Sequence, residues 1–362
     1  MPNLQLLAGS SAYRRIQQHP LKSDDISAVF GASGAAKWLT IYGLDRAIFS
    51  QWLQSGNNPI DLFGTSIGAF KLTAAAQSQP AEAFTRLANA YVEQSYTDND
   101  ASPEAICRET KKILAATLNQ DAATQVLNNP RFRFHCGVVS SDGLLGSANL
   151  NHQKMAMLKG FLLATRGRRA HKKMLKRSIF GPPSSQAKFG ANDGVSTDYI
   201  ALNESNFQSA VLASGSIPVV MHGVDSIPGT QPNTIFRDGG LLDYHPVPGN
   251  FMDTNNGIVL YPHFYPHLVE GWFDKFFPWR KVSPKALDNV LIVAPSAEFV
   301  RSLPGGKIPD RQDFVHYRGR DHERQALWRE VMSRSLELGE EWLELCASGK
   351  LAQRVQLLSA KG

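Results

Sequence analysis

Residues Ile60-Asp61-Leu62-Phe63-Gly64-Thr65-Ser66-Ile67-Gly68-Ala69-Phe70-Lys71-Leu72-Thr73-Ala74-Ala75-Ala76 decide how this chain is read. Ile60 to Phe63 is a short, mostly apolar run of strand type that leads directly into Gly64-Thr65-Ser66, and the Ala-rich stretch from Ala69 to Ala76 begins a helix. A serine between a strand end and a helix start sits on a sharp, strained turn with its hydroxyl presented outward. Flanking glycines remove the side chains that would collide there. Gly64-x-Ser66-x-Gly68 has this form, which makes Ser66 a candidate nucleophile. The bland alternative is a helix N-terminus capped by Thr65 or Ser66, with no chemistry attached.

Upstream, Ile26 to Phe30 is a second short apolar run, closed by Gly31-Ala32-Ser33-Gly34-Ala35-Ala36. A helical pattern of Leu39, Tyr42, Leu44, Ile48, Phe49 and Leu53 follows and stops near Gly56-Asn57-Asn58-Pro59. Strand, loop, helix, strand, helix with short joins implies parallel pairing through right-handed crossovers. Downstream, Pro80 to Val126 reads as helical around a polar turn at Thr97 to Pro103. Phe132 to Val139, Ile235 to Arg237 and Val290 to Ala294 read as strands, and the Leu-, Glu- and Arg-rich tail from Arg311 to Leu358 reads as closing helices. The expected architecture is α/β, with a mostly parallel central sheet and C-terminal helices. Its expected segments are a helical lead-in over 1–24, a main domain over 25–300 with a basic and apolar insertion at about 152–180, and a helical extension of that domain over 301–362.

Composition narrows the function classes. A hydrophobic fraction of 43% with 19% charged residues is that of a globular chain, and 38 Lys and Arg against 32 Asp and Glu leave a net charge of +6 that matters only where it is clustered. Cys107, Cys136 and Cys346 are too few and too widely spaced for a disulfide framework or a cysteine metal site, and suit a reducing compartment. The only early apolar run, Leu4 to Leu7, is too short for a signal peptide core, and no run approaches the ~18 apolar residues of a membrane span. The expected location is cytoplasmic, with peripheral contact at a membrane.

That contact is expected from two segments. Lys154 to Arg177 holds nine Lys or Arg and no acid, interleaved with Met155, Met157, Leu158, Phe161, Leu162 and Leu163. Its cations Arg166, Arg168, Arg169, Lys172, Lys173, Lys176 and Arg177 are candidates to face anionic lipid. A solvated helix face or a lid is the competing reading. Tyr261 to Arg280 is rich in aromatics, for which core packing is the default and an interfacial belt the sharper reading. Nucleic acid ranks lowest as a partner, because no binding motif accompanies the charge. His263 and His267 are separated by helix-breaking prolines and lack an acidic neighbour, so no metal site is expected.

Two further stretches bear on chemistry. Asp238-Gly239-Gly240 follows a short strand, which would bring its carboxylate to the rim where an open α/β sheet carries functional loops, although Asp-Gly is also an ordinary turn pair. Gly31 to Ala36 offers closely spaced backbone N–H groups at a helix start, suited to holding negative charge. A nucleotide cradle is the alternative there, but neither a P-loop ending nor a complete Gly-x-Gly-x-x-Gly is present.

Taken together, the blocks show a resemblance. Ser33-Gly34-Ala35-Ala36-Lys37 resembles the Gly-Gly-Gly-x-Arg/Lys loop of the patatin-like phospholipase family, and Gly64 to Gly68 resembles its Gly-x-Ser-x-Gly. Ala213-Ser214-Gly215-Ser216-Ile217-Pro218 resembles its Ala-Ser-x-x-x-Pro segment, and Asp238-Gly239-Gly240 matches its Asp-Gly-Gly. The four blocks stand in the family's order, and the resemblance covers about residues 24 to 300. It implies a three-layer α/β/α fold, Ser66 as nucleophile, Asp238 as the carboxylate bonded directly to it, and the amides of Gly34 and Ala35 as oxyanion hole. Gly31, Ser33, Lys37, Gly64, Gly68, Gly239 and Gly240 would frame that site. Glycine is more usual than Ser33, Ala35 and Trp38 at their positions.

The implied activity is that of a serine lipid acyl hydrolase acting through an acyl-enzyme on a lipid ester, without histidine or cofactor. A free aspartate, with a pKa of about 3.9, is a feeble base, so burial that raises it is expected. Two alternatives stand beside this: a Ser-Asp-His esterase or thioesterase recruiting His245 or His316, and a catalytically silent lipid-binding module.

Overall fold

The computed structural model describes residues 2–96, 102–119, 121–140, 143–167, 170, 174–185, 193–252 and 257–358. The chain forms a mixed α/β fold around one sheet. Its strands are β1 (Leu4–Ala8), β2 (Ile26–Gly31), β3 (Ile60–Gly64), β4 (Phe132–Ser140), β5 (Lys176–Gly181), β6 (Thr197–Ala201), β7 (Val224–Asp225), β8 (Ile235–Asp238), β9 (Ile258–Pro262), β10 (Val290–Pro295) and β11 (Val355–Leu357). Along the sheet the order is β11-β1-β10-β9-β2-β3-β4-β5-β6, with β8 on β4 and β7 on β8. The run β10-β9-β2-β3-β4 is parallel throughout.

Helices flank this parallel core, so its strands lose the alternation of half-exposed sheets: every residue of β3, β9 and β10 is buried. In β3, Ile60, Leu62 and Phe63 have no exposed surface, each contributing about 1.5–3 kcal/mol of apolar burial. The long helix Asp321–Ala347 buries Trp328, Val331, Leu338 and Trp342, and packs against the helix Tyr42–Ala47. No helix among the described residues is long and apolar enough to cross a membrane.

The end segments hold strands as well as the expected helices. Residues 1–24 are not simply a helical lead-in: β1 pairs antiparallel with β10 before the helix Ser10–Gln18 begins. The tail is not wholly helical either, since β11 pairs with β1 and ties the two ends of the chain together. At the end of the basic stretch at 152–180, β5 pairs antiparallel with β4 in the main sheet. The helical pattern after β2 is present but irregular, passing from 3-10 (Ala35–Ile41) through α (Tyr42–Ala47) to π geometry (Ile48–Trp52). β9 escaped sequence reading because its five residues merge into the aromatic run that follows them.

One irregularity of the sheet positions the site. β4 outruns β3: Gly64 pairs with Cys136, and beyond that point the side of β4 left open is taken by β8, with Asp238 opposite Val138. β8 runs antiparallel to β4 and β3 parallel to it, so the two meet end to end across from Gly137. The residues that leave their tips therefore face each other.

Candidate active site

Ser66 stands two residues past the tip of β3 with φ 53° and ψ −131°, and the helix Ile67–Ala75 starts at the next residue. A non-glycine residue in that region stores about 1–3 kcal/mol of strain, so surrounding contacts must impose it. They do so from two directions. The Ser66 amide donates to the carbonyl and to Oγ of Ser214, each at 3.0 Å, and Ser214 Oγ donates to the Gly137 carbonyl at 2.8 Å. From the other side, the backbones of Gly31, Gly64 and Gly68 touch: a Cβ on Gly68 would fall on the Gly31 carbonyl, and one on Gly64 would fall on Gly68. The elbow is thus pressed against the end of β2, a packing open only to glycine.

Ser66 Oγ donates to Asp238 Oδ2 at 2.8 Å, and Asp238 Oδ1 accepts from the Gly240 amide at 2.7 Å. The Asp238 amide donates to the Ser216 carbonyl at 2.9 Å, so the Ala213 to Pro218 segment holds both partners. Both side chains are nearly enclosed, at 8% exposure for Ser66 and 5% for Asp238. No cation pairs with Asp238 among the described residues. Burial raises its pKa above the ordinary carboxylate value, opposed by the bonds from Ser66 and Gly240 and by the more distant charges of Arg311 and Lys275.

The 33–36 loop is fixed by the hydroxyls of Ser33 and Thr65. Thr65 gives its one proton to the Asp243 carbonyl at 2.6 Å, leaving Ser33 Oγ as donor to Thr65 Oγ1 at 2.9 Å. The Ser33 amide donates to the Tyr244 carbonyl at 2.8 Å. Ser33, where glycine is more usual, therefore clasps the loop to the elbow. Gly34 lies against the Phe264 ring, where a Cβ has no room, and Ala35 is held at φ 54°. Among the described residues the amides of Gly34 and Ala35 donate to no acceptor, and both residues line a cavity with Ser66. The third departure, Trp38, is buried and donates from Nε1 to Asp45 at 2.8 Å, which also binds Lys71.

Two cavities meet at Ser66. One, of about 360 Å³, is walled largely by apolar groups such as Ile67, Phe70, Ile106, Ile113 and Phe314. The other, of about 470 Å³, is lined by Ser33, Gly34, Asp238 and Tyr244 and by the cations Lys37, Lys275 and Arg311. Ala35, Ile217, Val220 and Arg311 border both. The arrangement can do acyl transfer: a hydroxyl, a carboxylate to take its proton, free amides beside them, and room for a substrate on two sides.

Several expected site residues lie elsewhere. His245 is buried, with Nδ1 accepting from the Val269 amide at 2.9 Å and its ring against Tyr244, His263 and Phe264. It makes no hydrogen bond to Ser66 or Asp238. Burial, reinforced by the neighbouring His263, holds its pKa well below the ordinary imidazole value. His316 borders neither cavity at Ser66. Arg177, expected to face lipid, is a core residue: it bonds Asp243 through Nε at 2.7 Å and Nη2 at 2.8 Å, and Asp193 through Nη1 at 3.1 Å and Nη2 at 2.8 Å. Burial works against its charge, but the two carboxylates hold it protonated. Lys176 pairs with Asp198 at 2.5 Å, Arg166 is exposed, and Arg168, Arg169, Lys172 and Lys173 lie outside the described residues. The aromatic stretch is mainly core, since Tyr261, Phe264, Phe273 and Phe277 are buried while Phe276 and Trp279 are exposed. Among the described residues no cluster of three or more His, Cys, Asp or Glu could hold a metal ion.

No protein-family model matches the chain, and no curated protein matches it.

Proposed function

We propose that this chain is a serine acyl hydrolase of the patatin-like kind, cleaving lipid carboxylic esters with a Ser66-Asp238 dyad. The observation that carries the proposal is the 2.8 Å bond from Ser66 Oγ to a buried Asp238 that has no ion-pair partner among the described residues, beside Gly34 and Ala35 amides that donate to no acceptor among them, where the two cavities join.

In this reading Asp238 accepts the Ser66 proton as Oγ bonds to the ester carbonyl carbon, and the carbonyl oxygen takes the negative charge towards the Gly34 and Ala35 amides. Collapse breaks the ester C–O bond, and the departing alkoxide takes the proton from Asp238. Water then attacks the acyl-enzyme and gives a proton to Asp238. The C–Oγ bond breaks, and Ser66 recovers its proton as the carboxylic acid leaves. The first cavity suits the acyl chain, and the second, which Lys37 and Lys275 line, suits the alcohol portion. The low basicity of His245 and its engagement with Val269 favour this scheme over a Ser-Asp-His triad.

Access to a lipid surface has its own support. On the helix Leu150–Thr165, Met155, Leu158 and Leu162 are exposed at 59%, 59% and 56%, and Phe161 contacts Phe276 at 5.4 Å between ring centres. These apolar groups, with exposed Trp279, give a face suited to peripheral membrane contact, with Arg166 beside it in sequence.

A serine-reactive fluorophosphonate and a chromogenic acyl ester test the proposal. Labelling and turnover in the wild type are expected to vanish in Ser66→Ala. Absence of both in a folded wild type would leave the silent lipid-binding module in possession of the field.

A further inference from the structure

The cavity lined by Lys37 and Lys275 carries a charge pattern that ester hydrolysis alone does not need. Lys37 follows β2, Lys275 belongs to the helical turn Trp272–Phe276, and Arg311 precedes the C-terminal helices, so three distant segments bring cations to one cavity that also touches Ser66. None of the three makes an ion pair among the described residues, although Asp310 lines the same cavity. Lys275 is held by aromatic faces instead, its Nζ lying 3.5 Å from the centre of the Tyr244 ring and 5.4 Å from that of Trp272. Such contacts orient a cation without neutralising it. Loss of water around the Lys275 ammonium, together with repulsion from Lys37 and Arg311, pushes its pKa down to about 7, while Asp238 opposes the shift. Loss of water likewise lowers Lys37. Three cations against the carboxylates Asp238 and Asp310 leave the cavity with an excess of positive charge, which an anion placed among them relieves.

The two cavities set where that anion sits. With the acyl chain in the first cavity and the carbonyl at Ser66, the alcohol portion of the ester enters the cavity that holds Lys37 and Lys275. We infer that this cavity receives a phosphate on the alcohol portion of the substrate, so that the preferred substrates are acyl esters with net-anionic phosphorylated head groups, selected by Lys275 and Arg311. The inference rests on the hydrolase reading for its orientation. The same three cations would repel the quaternary ammonium of a choline head group, and they have no partner in a neutral glyceride.

Binding and turnover separate the two readings. Full-length Ser66→Ala protein is titrated calorimetrically with monomeric dihexanoyl phosphatidic acid, dihexanoyl phosphatidylcholine, dihexanoylglycerol and inorganic phosphate. Phosphatidic acid is expected to bind at least about tenfold more tightly than the other three, a difference that K275M/R311Q brings within about threefold. Equal binding of phosphatidylcholine or dihexanoylglycerol overturns the inference, as does a preference that survives the double substitution. Inorganic phosphate binding as tightly as the lipid would mark a free-anion site and overturn the head-group assignment. The ligand ranking needs no substitution beyond Ser66→Ala, so it decides the matter even if the double variant melts early. Wild-type turnover of p-nitrophenyl butyrate is the separate arm: its absence breaks the hydrolase reading and leaves the binding result standing.

Discussion

Asp238 and Asp243 lie five residues apart, both buried, on the stretch that closes the site, yet they have opposite surroundings. Asp243 accepts Nε and Nη2 of Arg177, a guanidinium with no exposed surface, while its carbonyl receives the Thr65 hydroxyl. Among the described residues Asp238 accepts hydrogen bonds only from the neutral donors Ser66 Oγ and the Gly240 amide. A buried carboxylate tied to a guanidinium is committed to structure. One that receives neutral donors and carries a raised pKa can take a proton, and here the proton beside it belongs to a serine on a strained turn. The contrast shows that burial alone does not make a base; the partner decides.

Substitutions can break this contrast. The largest effect is expected at Asp238: Asp238→Ala should lower kcat/KM for a soluble ester by at least about 10³-fold while the urea midpoint holds. Asp243→Ala should do the reverse, costing about 3–5 kcal/mol of stability by leaving Arg177 buried with a partner missing, with activity lost in step with folding. If Asp243→Ala unfolds no more easily than Asp238→Ala, the division between base and strut is wrong. Next in size, Gly68→Ala puts a Cβ on the Gly31 carbonyl and should cost about 1–3 kcal/mol in denaturant melts, displacing Ser66 from Asp238 as it does so.

The pH profile sharpens the comparison with smaller effects. On the proposed mechanism activity requires ionised Asp238, and burial raises its pKa, so kcat/KM should rise with pH along a limb centred above the ordinary value of about 3.9. Lys275 and Arg311 oppose that rise. Lys275→Met, which removes one of these charges, should therefore move the limb to still higher pH, a shift that a purely structural lysine would not cause. Smallest of all, His245→Gln should change kcat less than about tenfold, where a triad histidine would cost orders of magnitude more.

Much of the site was legible because its signals are backbone requirements written locally. Ile60 to Phe63 alternates too little for a half-exposed strand, and glycines at 64 and 68 admit the turn that carries Ser66. What could not be read depended on partners remote in the chain. Arg177 sits in a run of cations, and composition sends it to the surface. Only the pairing of β5 with β4 carries it inside, where Asp193 and Asp243 await it. Lys275, hidden in an aromatic stretch, and Arg311, at the start of the tail read as closing helices, gave no sign of sharing a cavity with Ser66. β1, β5, β6, β9 and β11 were missed because short strands take their stability from neighbours in the sheet more than from their own residues.

The sequence by itself determined the elbow at Ser66, the α/β class and the order of the motif blocks, since each follows from residues close together whose dihedral and packing preferences act over a few positions. The tertiary structure alone decided that β8 meets β3 end to end, which brings Asp238 to the serine as the motif blocks implied and leaves His245 away from it, and that two cavities join there. Those facts arise from strand register and long-range burial, and no local preference encodes which distant carboxylate or cation will fill the space that opens when one strand outruns its neighbour.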